Sequence, residues 1–330
     1  MRIALDAMGT DGHPAVEVEG VVEALRELPA DFDVTLVGNM HRIESELARW
    51  PGLPRDRIAI YHAPDTIQPG DAAATVMRRK PESSIVVGLE LQREGSADAF
   101  ISAGSTGAVM AASLFVLKRL PGVDRPAVAT PLPTAAEPCL LLDAGANVDC
   151  KPFHLLQFAR LGSIYVEDAW QRPRPRVGLL NIGEEPEKGD EVTVEAHRML
   201  AASDLNFIGN VEGRDIIRGA CDVLVADGFV GNVLLKFYES VTAYLHGMLA
   251  ERLGPTVPAP VLDSLFRMFD YTEYGGAPLL GVNGISVICH GGSPPRAVKN
   301  AIRVARQAVL TRMVGHIERA VAAAADTANV

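Results

Sequence analysis

Cysteine is scarce in this chain of 330 residues: Cys139, Cys150, Cys221 and Cys289 are all it has. None forms a CxxC pair, and no histidine cluster stands near them at zinc spacing, so neither a zinc site nor a dithiol redox motif is encoded. Strand-like runs surround Cys139, Cys221 and Cys289, which reads as small buried hydrophobes in a reducing compartment. Basic charge is in deficit as well. Lys and Arg number 31 against 41 Asp and Glu, for a net charge of −10. Nucleic-acid binding draws most of its affinity from neutralised phosphates, so this balance argues against it, while leaving room for a local basic patch. No apolar run approaches the ~20 residues that span a bilayer. The N-terminal Arg2-Ile-Ala-Leu-Asp6 enters a strand directly, without the basic start and apolar core of a signal peptide, so a cytoplasmic protein is expected. Nucleotide and hydrolase signatures are missing too: there is no GxxxxGK[ST], no GxGxxG after a strand, no GxSxG, no HExxH and no kinase set.

What is present is an α/β pattern. Hydrophobic residues make up 48% of the chain, enough for one large domain over residues 1–330. Strands are expected at Ile3–Asp6, Asp33–Val37, Ile58–Tyr61, Ala99–Ser102, Ala127–Thr130, Cys139–Asp143, Val177–Ile182, Asn206–Ile208, Val223–Ala226 and Ser286–Cys289. They are apolar on both faces, as strands covered on both sides are. Amphipathic stretches such as Ala15–Leu28, Thr106–Arg119, Phe153–Val166 and Glu191–Ala202 lie between them. Residues Ala297–Ala325 read as a long helix with a frayed tail. The alternation predicts a mostly parallel sheet with helices on both faces.

The chemistry collects where strands end. Six strands run into loops that combine glycine with polar residues: Ala7-Met-Gly-Thr-Asp-Gly12, Ala103-Gly-Ser-Thr-Gly107, Ala144-Gly-Ala-Asn147, Gly183-Glu-Glu-Pro-Glu-Lys-Gly-Asp190, Asp227-Gly-Phe-Val-Gly-Asn232 and His290-Gly-Gly-Ser293. In one parallel sheet these ends share an edge, where ligands of open α/β sheets bind. Glycine lets backbone N–H groups approach a ligand, and helices that start after such loops point positive dipole ends at the same place. The arrangement suits an anion, phosphate in particular. One such loop would mean no more than a tight turn; six together favour a ligand site.

Several of these segments, in order along nearly the whole chain, resemble the phosphate acyltransferase (fatty acyl–phosphate synthase) family of bacterial phospholipid synthesis. They are Ile3-Ala-Leu-Asp-Ala-Met-Gly9, Ser102-Ala-Gly-Ser-Thr-Gly-Ala108, Leu141-Leu-Asp-Ala-Gly-Ala-Asn-Val-Asp-Cys-Lys-Pro152, Gly178-Leu-Leu-Asn-Ile-Gly-Glu-Glu185, Gly209-Asn-Val-Glu-Gly-Arg-Asp215, Asp227–Asn232 and Tyr274-Gly-Gly-Ala-Pro-Leu-Leu-Gly-Val-Asn-Gly284. Thr10 replaces an expected second glycine, and Ser105 an expected asparagine. The resemblance implies a three-layer αβα sandwich similar to phosphotransacetylase and to isocitrate/isopropylmalate dehydrogenase-like folds. It implies transfer of an acyl group from acyl carrier protein to inorganic phosphate. A dehydrogenase of that fold holds a metal with two aspartates four residues apart; here Asn232 and Lys236 occupy those places, which suits an anion and implies no metal. No cofactor is implied.

For that reaction the needs are to position phosphate and to stabilise an oxyanion. Lys188 and Asn232 are the first candidates, with Asp227 to orient Lys188 or take a proton and His290 as acid or base. Ser102, Gly104, Ser105, Thr106, Asn147 and Gly231 are candidates for a phosphate cradle. A surface ion pair for Lys188, a helix cap for Asn232 and a structural hydrogen bond for His290 are the plainer alternatives. An acidic carrier protein needs a basic patch: either Arg78, Arg79 and Lys80, or Arg296, Lys299 and Arg303, with Arg306 one turn further on. Leu234–Leu253 reads as the first arm of a helical hairpin over residues 234–270. Its arms suit core or dimer packing, and its apolar tip, Val257, Val261 and Leu262, suits peripheral membrane contact. A homodimer, and a membrane-bound glycerol-3-phosphate acyltransferase as consumer of the product, are the further partners implied. A short-chain phosphotransacetylase using coenzyme A and a non-catalytic anion- or acyl-binding regulator stay open as alternatives.

Overall fold

Ile3, Ala4 and Leu5 are buried on both faces of strand β1 (Arg2–Asp6), which makes it an interior strand. Helix α1 (Ala15–Glu27) follows, with Val18, Val21, Val22 and Leu25 buried at helical spacing. The alternation continues through β2 (Asp33–Gly38), α2 (Met40–Leu47), β3 (Ile58–His62), α3 (Ser84–Arg93), β4 (Ala99–Ser102) and α4 (Thr106–Val116). Next come β5 (Ala127–Val128), β6 (Thr130–Leu132), β7 (Cys139–Leu142), α5 (Pro152–Trp170), β8 (Val177–Leu180), α6 (Glu191–Ala201), β9 (Phe207–Val211), the single turn α7 (Gly213–Ile216), β10 (Val223–Val225) and α8 (Gly228–Leu253). The chain closes with β11 (Ala277–Leu280), β12 (Ser286–Ile288), α9 (Pro295–Leu310) and α10 (Met313–Ala328). The computed structural model describes residues 1–68, 70–71, 78–253, 256–258, 261 and 273–328, with side chains as far as 323.

The chain divides into two compact units. One joins Met1–Pro126 with Tyr274–Val330; the other is Ala127–Glu273. Strands of the first unit run in the order β3-β2-β1-β4-β12-β11, all parallel except β11. Strands of the second run β6-β7-β10-β8-β9, all parallel except β6. The protein is therefore a mixed α/β chain with two mostly parallel sheets, not one.

In the first unit α1 lies on α9. A Cβ at Gly20 would stand 2.5 Å from Val298 Cβ, so glycine is what lets the helices close, and Ala297, Ala301, Ala305 and Ala308 are buried small residues on α9. Three sequence expectations change. Ala127–Thr130 is two short strands that part at Ala129. Strand β11 was not foreseen, because Pro278 within Ala-Pro-Leu-Leu argues against a strand. The long C-terminal helix is two, interrupted at Thr311–Arg312, where Arg312 takes a left-handed φ of 53°. The hairpin's first arm is α8, which begins at Gly228 rather than Leu234. Residues 262–270, including Leu262 of the tip, lie outside the described residues.

Candidate functional site

The strand order sorts the six polar loops. In the first unit β1, β4 and β12 are parallel neighbours, so the loops after Asp6, Ser102 and Cys289 share one carboxyl edge. In the second unit β7, β10 and β8 are parallel neighbours, so the loops holding Asn147, Asn232 and Lys188 share another. The single edge expected from the sequence is thus two edges with three loops each, because the strands pair into separate sheets.

On the first edge Asp6 is the organising group. It is buried; Ser102 Oγ donates to Asp6 Oδ2 at 2.7 Å and the Met8 N–H donates to Oδ1 at 3.0 Å. Burial raises its carboxyl above the usual range, opposed by hydrogen bonds from Ser102, Ser84 and Met8. Ser102 Oγ also accepts from the Gly104 N–H at 3.0 Å. Ser102 is therefore engaged inside the loop. Ser105 and Thr106 are exposed at the start of α4, and the Ser105 hydroxyl makes no capping bond although it holds the N-cap position. His290 is exposed, and its Nδ1 accepts from the Gly292 N–H at 3.4 Å. The His290 loop is tied to the first loop by the Asp11 N–H, which donates to the Gly291 carbonyl at 2.9 Å.

On the second edge the same part is played by Asp143. It is fully buried and accepts from the N–H groups of Val128 (3.0 Å), Gly145 (3.3 Å), Ala146 (3.1 Å) and Asn147 (2.7 Å), and from Asn147 Nδ2 (2.8 Å). Burial raises this carboxyl too, against those donors. One Asn147 amide hydrogen is thus turned inward to Asp143. Asp227 caps α8: its Oδ1 accepts from the Phe229 N–H at 2.8 Å and the Val230 N–H at 3.0 Å. It forms no ion pair with Lys188. Gly231 and Asn232 follow in the first turns of α8, and Asn232 reaches the β7–α5 loop, where a Cβ on Gly145 would lie 3.6 Å from Asn232 Oδ1.

Lys188 is exposed, and it makes no ion pair with Glu185 or Glu187. Its stem lies over Gly183, where a Cβ would stand 2.9 Å from Lys188 Cγ. The Lys188 loop is pinned at both ends: Asn181 Nδ2 donates to the Lys188 carbonyl at 2.9 Å, and Asn210 Nδ2 to the Glu185 carbonyl at 2.8 Å. Asn210 Oδ1 in turn faces His197 Nδ1 at 3.0 Å.

Asp6, Asp143 and Asn210 were not singled out from sequence. For the two aspartates a signal was there: Leu-Asp-Ala recurs at residues 5–7 and 142–144, each time closing an apolar strand before a glycine loop. Asn210 carried none, since its role depends on a neighbouring strand.

The carrier-protein patches fare unequally. Lys299 Nζ lies 2.8 Å from Glu27 and 3.4 Å from Glu23, and Arg306 lies 2.6 Å from Asp31, so these two cations fasten α9 to the α1 region. Arg303 is exposed and Arg296 half-buried. Lys80 is held by Asp71 at 2.7 Å and the Thr66 carbonyl at 2.9 Å, while Arg78 and Arg79 are exposed. Of the tip, Val257 is half-buried and Val261 exposed. Among the described residues no helix is long and apolar enough to cross a membrane.

Known proteins match the chain over nearly its whole length. A phosphate acyltransferase of Heliobacterium modesticaldum is 50% identical over 326 residues, covering 96% of this chain and 97% of that protein. A phosphate acyltransferase of Desulforamulus reducens is 49% identical over 327 residues, covering 96% of each. Among solved structures, a phosphotransacetylase from Streptococcus pyogenes superposes with a TM-score of 0.64 at 18% identity, over 94% of both chains, which shows the fold. The model of the fatty acid synthesis protein family matches residues 1–315, and with relatives this similar the chain belongs to that family.

Proposed function

We propose that the protein is a phosphate acyltransferase that moves a fatty acyl group from acyl carrier protein to inorganic phosphate. The observation that carries this reading is the half-identity, end to end, with relatives of that name. In the reaction a phosphate oxygen attacks the thioester carbonyl carbon, the C–O bond forms, the C–S bond breaks, and the carrier leaves as a thiolate that takes up a proton. Phosphate is anionic at neutral pH and a thiol leaves readily, so donors matter more than a strong base. We assign phosphate binding to Ser102, Gly104, Ser105 and Thr106, with the two exposed hydroxyls as the direct donors. We assign Lys188 and Asn232 to the chemical step, Lys188 because its ammonium is exposed and free of Glu185 and Glu187. Asp227, Asn147 and Gly231 support Asn232 by shaping the start of α8, and His290 is the candidate proton carrier.

Arg78 and Arg79 are the cations we assign to the acidic carrier protein. Helix α8 exposes Phe229, Val233, Phe237, Val241 and Tyr244 at four- and three-residue spacing, an apolar stripe that supports a homodimer. Contact of the Val257–Leu262 tip with a membrane would place the lipid-like product beside a membrane-bound consumer. The deciding experiment is incubation with phosphate and palmitoyl-carrier protein or palmitoyl-coenzyme A, with hydroxylamine trapping of acyl phosphate. Phosphate-dependent product from the carrier is expected. Product from coenzyme A alone replaces this reading with a phosphotransacetylase, and no product from either removes it.

A further inference from the structure

Glu17 lies in the first turn of α1 with its side chain fully buried, and its Oε1 accepts from the Thr10 N–H at 2.7 Å. Its Oε2 is buried with no hydrogen-bond partner, and the Thr10 hydroxyl, buried beside the carboxyl, makes no well-formed hydrogen bond although its nearness helps hold that carboxyl down. The loop held in this way presses backbone to backbone on the next loop: a Cβ at Gly9 would lie 2.8 Å from Ala103 N and 2.9 Å from Gly104 N. Gly104 N–H donates to Ser102 Oγ, and Ser102 donates to Asp6. Close packing leaves no slack between Thr10, Gly9 and the Ala103–Gly104 backbone, so a shift at Thr10 is felt there.

The groups around Glu17 offer its charge little relief. Asp6, at the end of β1, repels it. Cys289, after β12, is pushed up to about 12 by burial and by Glu17, and stays a thiol. His13, in the same loop, turns Nδ1 to the Thr10 carbonyl at 2.6 Å. Lys299, on the packed helix α9, is engaged by Glu23 and Glu27. Glu17 makes no ion pair. Burial, only partly opposed by the Thr10 hydrogen bond, raises its carboxyl to about 7.

We propose that Glu17 is a positioning residue for the phosphate loop: uncharged, it holds Thr10 and the Gly9 contact in place, and ionised, it sets an unpaired buried charge under a loop that must bind an anion. This rests on the assignment of phosphate to the Ser102–Thr106 loop. The test is calorimetric titration of inorganic phosphate into the full chain at pH 6 and pH 8, for wild type, Glu17→Gln and Glu17→Val. Dividing the wild-type Kd by the variant Kd cancels the ionisation of phosphate itself. We expect that ratio to rise about 5-fold or more between pH 6 and pH 8. A purely structural role would move it equally at both pH values, so a flat ratio overturns the proposal and spares the phosphate assignment. If wild type binds no phosphate at either pH, that assignment falls and the role of Glu17 with it. Glu17→Val, apolar and uncharged, gives the same reading should Glu17→Gln fold poorly.

Discussion

A Cβ on Gly231 would lie 1.9 Å from the Asp143 carbonyl oxygen. The first turn of α8 is therefore pressed onto the loop that Asp143 organises, and the same closeness recurs at Gly228, where a Cβ would meet the Asn147 carbonyl at 2.6 Å. The approach brings Asn232 to the edge of the sheet.

Gly231→Ala should lower stability by about 1–3 kcal/mol or more, since backbone on both sides must move. Gly247 sits on the same helix with nothing within 4 Å of its would-be Cβ. Gly247→Ala should instead gain up to about 1 kcal/mol from helix propensity. Urea midpoints of the two variants check the pair.

Removal of either proposed donor should slow turnover without unfolding the protein. Lys188→Ala and Asn232→Ala are each expected to lose roughly 10²- to 10³-fold in kcat. Arg198→Ala, which removes only an exposed pair with Glu195, should leave kcat unchanged. Near-normal turnover in both donor variants would place the chemistry elsewhere.

Asp143→Asn tests the organising carboxylate. The new amide must turn an NH₂ toward Val128, Gly145, Ala146 or Asn147, all of which already donate. A loss of about 1–3 kcal/mol is expected from the donors left unsatisfied, measured by denaturant unfolding.

Stability should fall as pH rises through the weakly acid range. The Glu17 carboxyl, ordinarily near 4.5, is raised to about 7 in the folded chain by burial. Between those values the folded state keeps a proton that the unfolded state has released, so ΔG of unfolding declines with pH and levels off above about 7. The drop from Glu17 amounts to about 3 kcal/mol at 1.36 kcal/mol per pH unit. Burial raises the Asp6 and Asp143 carboxyls in the same direction, so their contributions carry the same sign. Glu17→Gln should flatten it in urea titrations between pH 5 and pH 8.

If the α8 stripe is a dimer face, Phe237→Ser combined with Tyr244→Ser should halve the mass seen by light scattering. Both side chains are exposed, at 66% and 69%, so the chain itself loses little packing. An unchanged mass would remove α8 from the interface.

Much of the fold was legible because its signals are local. Strands buried on both faces read as continuous apolar runs, and β1, β4 and β7 lie where those runs are. What failed were features set by distant partners. Strand β11 forms despite Pro278, by antiparallel pairing with β12. Lys299 and Arg306 resemble a docking face in sequence, yet acids contributed from Glu23 to Asp31 cover them.

The sequence alone determined the alternation of strand, glycine loop and helix, and membership of an acyltransferase-like lineage. Both depend on residues near one another in the chain or on their order along it. Tertiary structure decided how the six loops divide, three to each sheet, because strand pairing joins segments far apart. It also decided which polar groups face inward. Ser102, Asn147 and Asp227 are held by N–H and carboxyl groups within about 3 Å, as hydrogen bonds require, while Ser105, Thr106 and Lys188 are left exposed at the strand ends.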